Sequence, residues 1–363
     1  MIEIQLKPPS LDDTVVFAHS PLVECVLSLH VLVRPREHAL RHSWARRMSH
    51  LSGRLLRRIN AFSFAYRGQV PSLLVPEARA VFGDFHAEAA RLSSHSPELT
   101  RDGFAGRLLS GSDRDRDLAA LVAESADERL ARAPAELLLD DPVEFAREFG
   151  RLLEDYWQAA FRDEWLRVEP YLRSSTIEDR EQALRSGTRQ FLARLSDKCR
   201  FDPVSDVLGI RSSCDRTVSV TTEDPLVLLP STFVWPHIFV NTDPHWPTWL
   251  AYAPRSVVRA ANPPAPPSEL VDGLHALADE NRLRVLKLIA AGPRSTQELA
   301  PLVGLSTSGV SKCLKTLLES GLVTKHREGR YVVYKLADRR LTELSKTIDM
   351  FLATHRRSAD AAA

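Results

Sequence analysis

Between residues 307 and 330 the chain sets short hydroxyls and cations at intervals that place them along one side of a helix and at the tip of a hairpin. They are Thr307, Ser308, Ser311, Lys312 and Lys315, then Lys325, Arg327 and Arg330, with His326 among the last three. Such residues make and break no covalent bonds unaided. Hydroxyls donate and accept at close range, and lysine and arginine attract anionic oxygens, so the chemistry they offer is recognition of phosphates and base edges in double-stranded DNA. A second set, Trp235, His237, His245, Trp246 and Trp249, is aromatic with polar edges. It could line a pocket for a mostly apolar small organic effector, with the histidines and Asn241 orienting a polar group. The plainer reading makes these residues the core of a small sheet, since large aromatics dominate cores generally. His38 and His42 stand four apart with His50 nearby and could share a metal on a helix. No third convergent ligand accompanies them, and a stretch rich in His and Arg is usually a solvated face, so no metal and no cofactor are expected. Trp157, Phe161 and Trp165 read as core, with Asp163 and Glu164 beside them as exposed carboxylates. A nucleophile elbow, a phosphate loop, a dinucleotide-binding glycine motif and HExxH are all missing, so no catalytic residues are assigned and no enzyme is expected.

Short elements between 268 and 357 must position the first set. Leu270–Leu277 reads as a short apolar helix. Asn281 opens a second, with Leu283, Leu286, Leu288 and Ile289 as its buried side, and Gly292-Pro293 stops it. Ser295-Thr296-Gln297-Glu298 is a capping box, in which the serine oxygen takes an orphan amide and the glutamate reaches back. The helix it opens ends at Gly304, free to adopt the left-handed conformation of a tight turn. Ser306 caps the next helix, whose Val310, Leu314 and Leu317 point inward. After Gly321, two β-rich runs, Leu322–Arg327 and Tyr331–Leu336, flank the hairpin pair Glu328-Gly329. Helix, tight turn, helix and hairpin is the layout of a winged helix-turn-helix, which lays one exposed helix face in the major groove.

Upstream, Ala261 to Pro267 (ANPPAPP) reads as a stiff linker, and Ser110 to Asp117 as a polar surface loop. Expected boundaries are 1–260 for an N-terminal regulatory and dimerisation region, 261–267 for the linker, 268–357 for the winged helix, and 358–363 for a tail. Helical periodicity dominates the first region. Pro21–Val33 and Ser43–Ile59 read as shorter helices, a long one starts at the cap Asp141-Pro142, and another runs from about Ile177 to Leu195. From 216 to 252 the pattern alternates in short runs, which suggests a small antiparallel sheet. The fold class is α+β: a mainly helical N-terminal region with that sheet, followed by the winged helix.

The segment LHALADENRLRVLKLIAAGPRSTQELAPLVGLSTSGVSKCLKTLLESGLVTKHREGRYVVYKL resembles the ArsR/SmtB-type winged-helix repressors element by element. The resemblance implies a homodimer built from the helices flanking the core, here about 269–278 and 338–356. It departs from the metal sensors of that family. Where they carry paired cysteines, this chain reads Glu298-Leu299-Ala300-Pro301-Leu302, and its last helix offers only Asp349 and His355, on different faces. Cys313 stands where many relatives carry histidine and reads as packing. The N-terminal part, through its opening strand, Phe17-Ala18-His19-Ser20-Pro21-Leu22-Val23-Glu24 and a leucine-rich helix, is similar to an uncharacterised domain fused to such winged helices in high-GC bacterial regulators. That resemblance implies a regulatory fusion and names no ligand.

Charge distribution agrees with a phosphate-facing module. Net charge is only +1, yet from Ser268 to Arg357 there are 15 Lys+Arg against 10 Asp+Glu, and only Lys7 and Lys198 among the lysines precede that segment. Cys25, Cys199, Cys214 and Cys313 form no disulfide framework or zinc signature. With no signal peptide and no membrane-span run, a cytoplasmic protein is expected, with no membrane partner. A dimeric transcriptional repressor is the leading expectation. A protein-interaction scaffold and an enzyme fused to a regulatory winged helix are the alternatives.

Overall fold

The computed structural model describes residues 1–7, 11–74, 83–106, 108–111, 113–212, 215–261, 266–329 and 331–362. It divides into two compact units, Met1–Ala261 and Asn262–Asp360. No helix among the described residues is long and apolar enough to cross a membrane. Most of the expected linker (262–265), Cys214 and Arg330 lie outside the described residues.

In the first unit, helix Pro21–Val33 is apolar on nearly every side, as an element enclosed by others must be. Ser20 caps it, accepting from Val23 N at 3.0 Å, and Pro21 takes the first position, where its missing N–H costs nothing. Phe145, Phe149, Leu152 and Leu153 of helix Pro142–Tyr156 share its core. That helix passes through a π-helical turn at Trp157–Phe161 and continues as Arg162–Ser186, so the start expected near Ile177 is absent. Thr176 Oγ1 donates to Leu172 O at 2.8 Å, which satisfies this buried hydroxyl within the helix. The expected 43–59 helix is instead His42–Met48 and Gly53–Ala61, the second capped by Ser52.

The single antiparallel sheet expected at 216–252 is corrected. Among the described residues, the first unit holds two four-stranded sheets of mixed sense. One orders Cys199–Asp202, Val207–Ile210, Ile2–Leu6 and Arg216–Val220, with the last two parallel. The other orders Val15–Phe17, Leu226–Pro230, Trp249–Tyr252 and Phe239–Asn241, parallel except for its last pair. Leu226–Pro230 and Trp249–Tyr252 are buried throughout. Val227, Leu229, Trp249 and Ala251 enter the core shared with the helices, while Leu226, Leu228, Leu250 and Tyr252 enter a second core with Ile2, Ile4 and Phe191. A strand covered on both faces carries an unbroken apolar run, as parallel sheets require, and its distant N-terminal partners leave no trace in local alternation.

Glu164 also departs from expectation, being 2% exposed. It follows Phe161 by three and precedes Val168 by four, so it shares their inward stripe. Arg41, Arg47 and Arg167 meet its carboxylate at 3.8, 3.6 and 3.1 Å. Arg41 is itself buried, donates from Nε to Thr232 O at 3.0 Å and lies over the Phe233 ring, while Thr232 N and Oγ1 donate to buried Glu24.

The second unit runs through helices Ser268–Leu277, Glu280–Ala290, Thr296–Val303 and Thr307–Glu319, the hairpin Val323–Glu328 with Tyr331–Leu336, and helix Asp338–Ala362. Asp279, not Asn281, caps the second helix, accepting from Arg282 N at 2.9 Å. Its inward side is Val285, Leu286 and Ile289; Leu283 is exposed, one position out of phase with that stripe.

Candidate DNA-binding face

Local chemistry fixes the helix-turn-helix. Ser295 N donates to Glu298 Oε2 at 2.7 Å and Ser295 Oγ accepts from Glu298 N, completing the capping box. Gly304, at φ 73°, closes the first helix in the left-handed conformation that a side chain would resist. Ser306 Oγ accepts from Gly309 N at 3.1 Å and starts the next. Val310, Leu314 and Leu317 then lock this helix into a core with Val285, Ile289, Leu299 and Leu322.

Its opposite face is exposed and holds Thr307, Ser308, Ser311, Lys312 and Lys315. The hydroxyls lie at or near the amino end, where unpaired N–H groups already favour anions. Lys315 pairs with Glu319 at 3.8 Å, both largely exposed, which is a weak tether. On the hairpin, Lys325 and Arg327 are exposed and two apart, hence on one face of the strand. Arg327 Nε donates to Gly329 O at 3.2 Å, and His326 pairs with Glu328. Ser295 also pairs with Val333, tying the hairpin to the cap of the first helix. Cys313 is half-buried and burial pushes its thiol up, away from the reactive thiolate. Ala300 is buried and Leu302 exposed at the sensor-cysteine positions, while Asp349 is exposed and the His355 side chain lies outside the described ones.

The aromatic set in the first unit does not converge on one pocket. Trp249 is 0% exposed within the helical core. Trp246 is half-buried and meets His95 edge-on, at 4.7 Å between ring centroids. His245 is exposed, pairs with Asp243 and borders a cavity of about 790 Å³ lined by charged residues including Arg101, Asp102 and Arg216. His237 and the edge of Trp249 border a separate cavity of about 310 Å³ with Arg34, Arg67, Gln69 and Arg211. Trp235 is half-buried, its carbonyl accepting from His38 Nδ1 at 2.8 Å. The smaller cavity is mainly polar and the larger one is of mixed lining, unlike the mostly apolar pocket expected.

His38 and His42 part company. His42 is exposed with Nε2 2.7 Å from Pro35 O, whereas buried His38 turns inward to His30 and His237. One ring nitrogen from each of these three lies within 4.8 Å of the others. No local sequence signal could have found this set, because its members come from a buried helix, the residue just after the following 3-10 turn and a loop some two hundred residues later.

Two family models match the chain. A family of unknown function (DUF5937) spans residues 2–259, and the bacterial regulatory protein arsR family spans 279–325. HTH-type transcriptional regulator NmtR of Mycobacterium tuberculosis is 36% identical over 77 residues, 21% of this chain and 64% of the relative. The chain thus spans just under two thirds of that relative's length. A probable mercury resistance operon repressor of Streptomyces lividans is 33% identical over 24% of this chain and 71% of its own length. HTH-type transcriptional regulator CmtR of Mycobacterium bovis is 40% identical over 22% and 67%. Among solved structures, an ArsR-like transcriptional regulator from Rhodococcus sp. RHA1 is 28% identical at a TM-score of 0.24, covering 25% of this chain and 85% of that one. With the capped helix-turn-helix and its hairpin in place, the chain belongs to the DUF5937 family and carries at its C-terminal end a winged helix of the arsR family.

Proposed function

We propose that this protein is a sequence-specific DNA-binding transcriptional regulator, acting in the cytoplasm as a homodimeric repressor without enzymatic activity. The observation that carries the reading is the exposed hydroxyl and lysine face of helix Thr307–Glu319, opposite the Val310–Leu314–Leu317 stripe that holds the helix rigid. Lysines supply charge attraction to phosphates, while Ser308 and Ser311 are short enough to approach base edges. Similarity to named repressors supports the sign of regulation.

Assembly is proposed through helices Ser268–Leu277 and Asp338–Ala362. Leu270, Val271, Leu274, Ile348, Phe351 and Leu352 line an almost wholly apolar hollow of about 530 Å³. Val271, Leu274 and Leu352 are 46%, 43% and 56% exposed. A second copy of this face is the proposed occupant, because a two-fold pair of recognition helices set one turn of DNA apart needs such a joint. Residues 1–261 form the regulatory part, and a small organic effector held beside His237 and Trp249 has to be polar to suit that cavity.

Selection of bound duplexes from a random pool tests the reading. The expected outcome is a two-fold symmetric consensus that Ser308→Ala or Ser311→Ala relaxes at defined positions. A pool with no enrichment would leave the interaction scaffold as the better account.

A further inference from the structure

We propose that His30, His38 and His237 form a binding site for a borderline divalent transition metal of the zinc class in the first unit. His30 projects from the buried helix Pro21–Val33, and its Nδ1 lies 3.0 Å from Tyr66 O. Just beyond the 3-10 turn Pro35–Glu37, His38 places its Nδ1 2.8 Å from Trp235 O. Since a carbonyl only accepts, each Nδ1 carries the proton and each Nε2 presents a lone pair. Both Nε2 atoms are buried without a hydrogen-bond partner. A ring oriented by a backbone carbonyl with its other nitrogen turned inward is the arrangement of metal-bound histidine. Leaving two such acceptors dry and unpaired carries an uncompensated desolvation cost at each.

His237 completes the trio from the loop between strands Leu226–Pro230 and Phe239–Asn241, its turn fixed by His237 N donating to Val234 O at 2.8 Å. The three rings stand edge to face at centroid separations of 5.1 to 6.0 Å. Zinc with nitrogens at about 2.0 Å brings its ligand atoms to roughly 3.3 Å from one another, so separations within 4.8 Å close by up to about 1.5 Å. His237, half-buried on its loop, can supply that movement. Glu37 Oε2, 3.2 Å from His237 Nε2, supplies compensating negative charge. Three arginines also border this cavity: Arg34 is turned to Glu37 and Glu124, Arg67 donates to Glu124 O at 3.0 Å, and Arg211 lies at its rim. An all-imidazole set suits zinc, cobalt, nickel or copper and not magnesium or calcium. Its cavity, of about 310 Å³ and bordered by His30 and His237, gives the metal a path in and a position for solvent. These residues share nothing with positions 300, 302 or the last helix, where arsR-type sensing residues would fall.

Cobalt(II) titrated into chelator-treated full-length protein is the test. One equivalent per chain should give the visible bands of a nitrogen-rich site, and zinc should displace them. His38→Ala and His237→Gln should each weaken zinc binding by at least about 100-fold, while His42→Ala and His50→Ala leave it unchanged. Circular dichroism reports whether each variant folds, and should buried His38 not tolerate alanine, His237→Gln on the half-buried loop decides. A folded wild type that binds no cobalt, undiminished zinc affinity in folded His237→Gln, or loss of binding in the surface variants overturns the site and leaves a water-filled polar cluster.

Discussion

Replacing Lys312 by alanine in both protomers of a dimer removes two cations from the proposed DNA face. Lys312, Lys315, Lys325 and Arg327 stand exposed there, four per protomer and eight per dimer. Each phosphate contact contributes about 0.9 to the slope of log affinity against log salt, so eight contacts give a slope near −7 and six leave about −5. Between 50 and 200 mM salt, affinity should then fall by about 10⁴ for the parent and about 10³ for Lys312→Ala. Arg327→Ala should behave alike, whereas Lys315→Ala should change less because Glu319 competes for that ammonium. Fluorescence anisotropy on a labelled duplex of arbitrary sequence suffices, since the term being measured does not depend on sequence. Thermal stability should stay within about 0.5 kcal/mol, as expected for exposed positions. Parental slopes in both Lys312→Ala and Arg327→Ala would refute this docking face.

Three further outcomes follow from the packing. Leu274→Glu places a charge in the apolar hollow against Phe351 and should yield a monomer by light scattering at micromolar concentration; an unchanged mass would place the dimer joint elsewhere. Arg41→Met removes the buried cation acting on Glu24 and one of three arginines at Glu164, which keeps Arg47 and Arg167, and should cost about 1–3 kcal/mol in urea unfolding, with no measurable cost contradicting the network. His19 is 3% exposed, and burial lowers its pKa to about 4 from 6.5, against the opposing pull of Glu169. Between those values the unfolded chain holds the extra proton, so stability is complete above pH 6.5 and falls by up to about 3 kcal/mol as pH drops toward 4. His19→Phe should make that acid slope shallower, and an identical slope would remove His19 from the account.

The winged helix was legible because its signals are local. Ser295 with Glu298, Gly304 and Ser306 each act within four residues, and the period of Val310, Leu314 and Leu317 separates inside from outside. Leu283 failed because its apolar side chain sits one position off the buried stripe, and residue type alone does not show phase. In the first unit the decisive partners are far apart. Ile2–Leu6 pairs with 207–210 and 216–220, so the mixed sheets were hidden behind short runs that looked antiparallel. Glu164 was misjudged for a related reason: its compensating Arg41 lies more than a hundred residues away. The histidine trio is the extreme case, since His38 has a tempting neighbour at four residues and its real companions arrive only through tertiary structure.

Leu226–Pro230 and Trp249–Tyr252 act as a party wall between two rooms. Odd-numbered side chains of both strands belong to the helical side and even-numbered ones to the side of the opening strand. Close-packed interiors transmit displacement instead of absorbing it. Phe239 rests against His30 at 5.0 Å, and its strand pairs with Trp249–Tyr252, so a ligand drawing the three histidines together would tug on that wall. Motion begun at the histidines would therefore be felt on the far side, around Ile4 and Phe191, without any hinge between them.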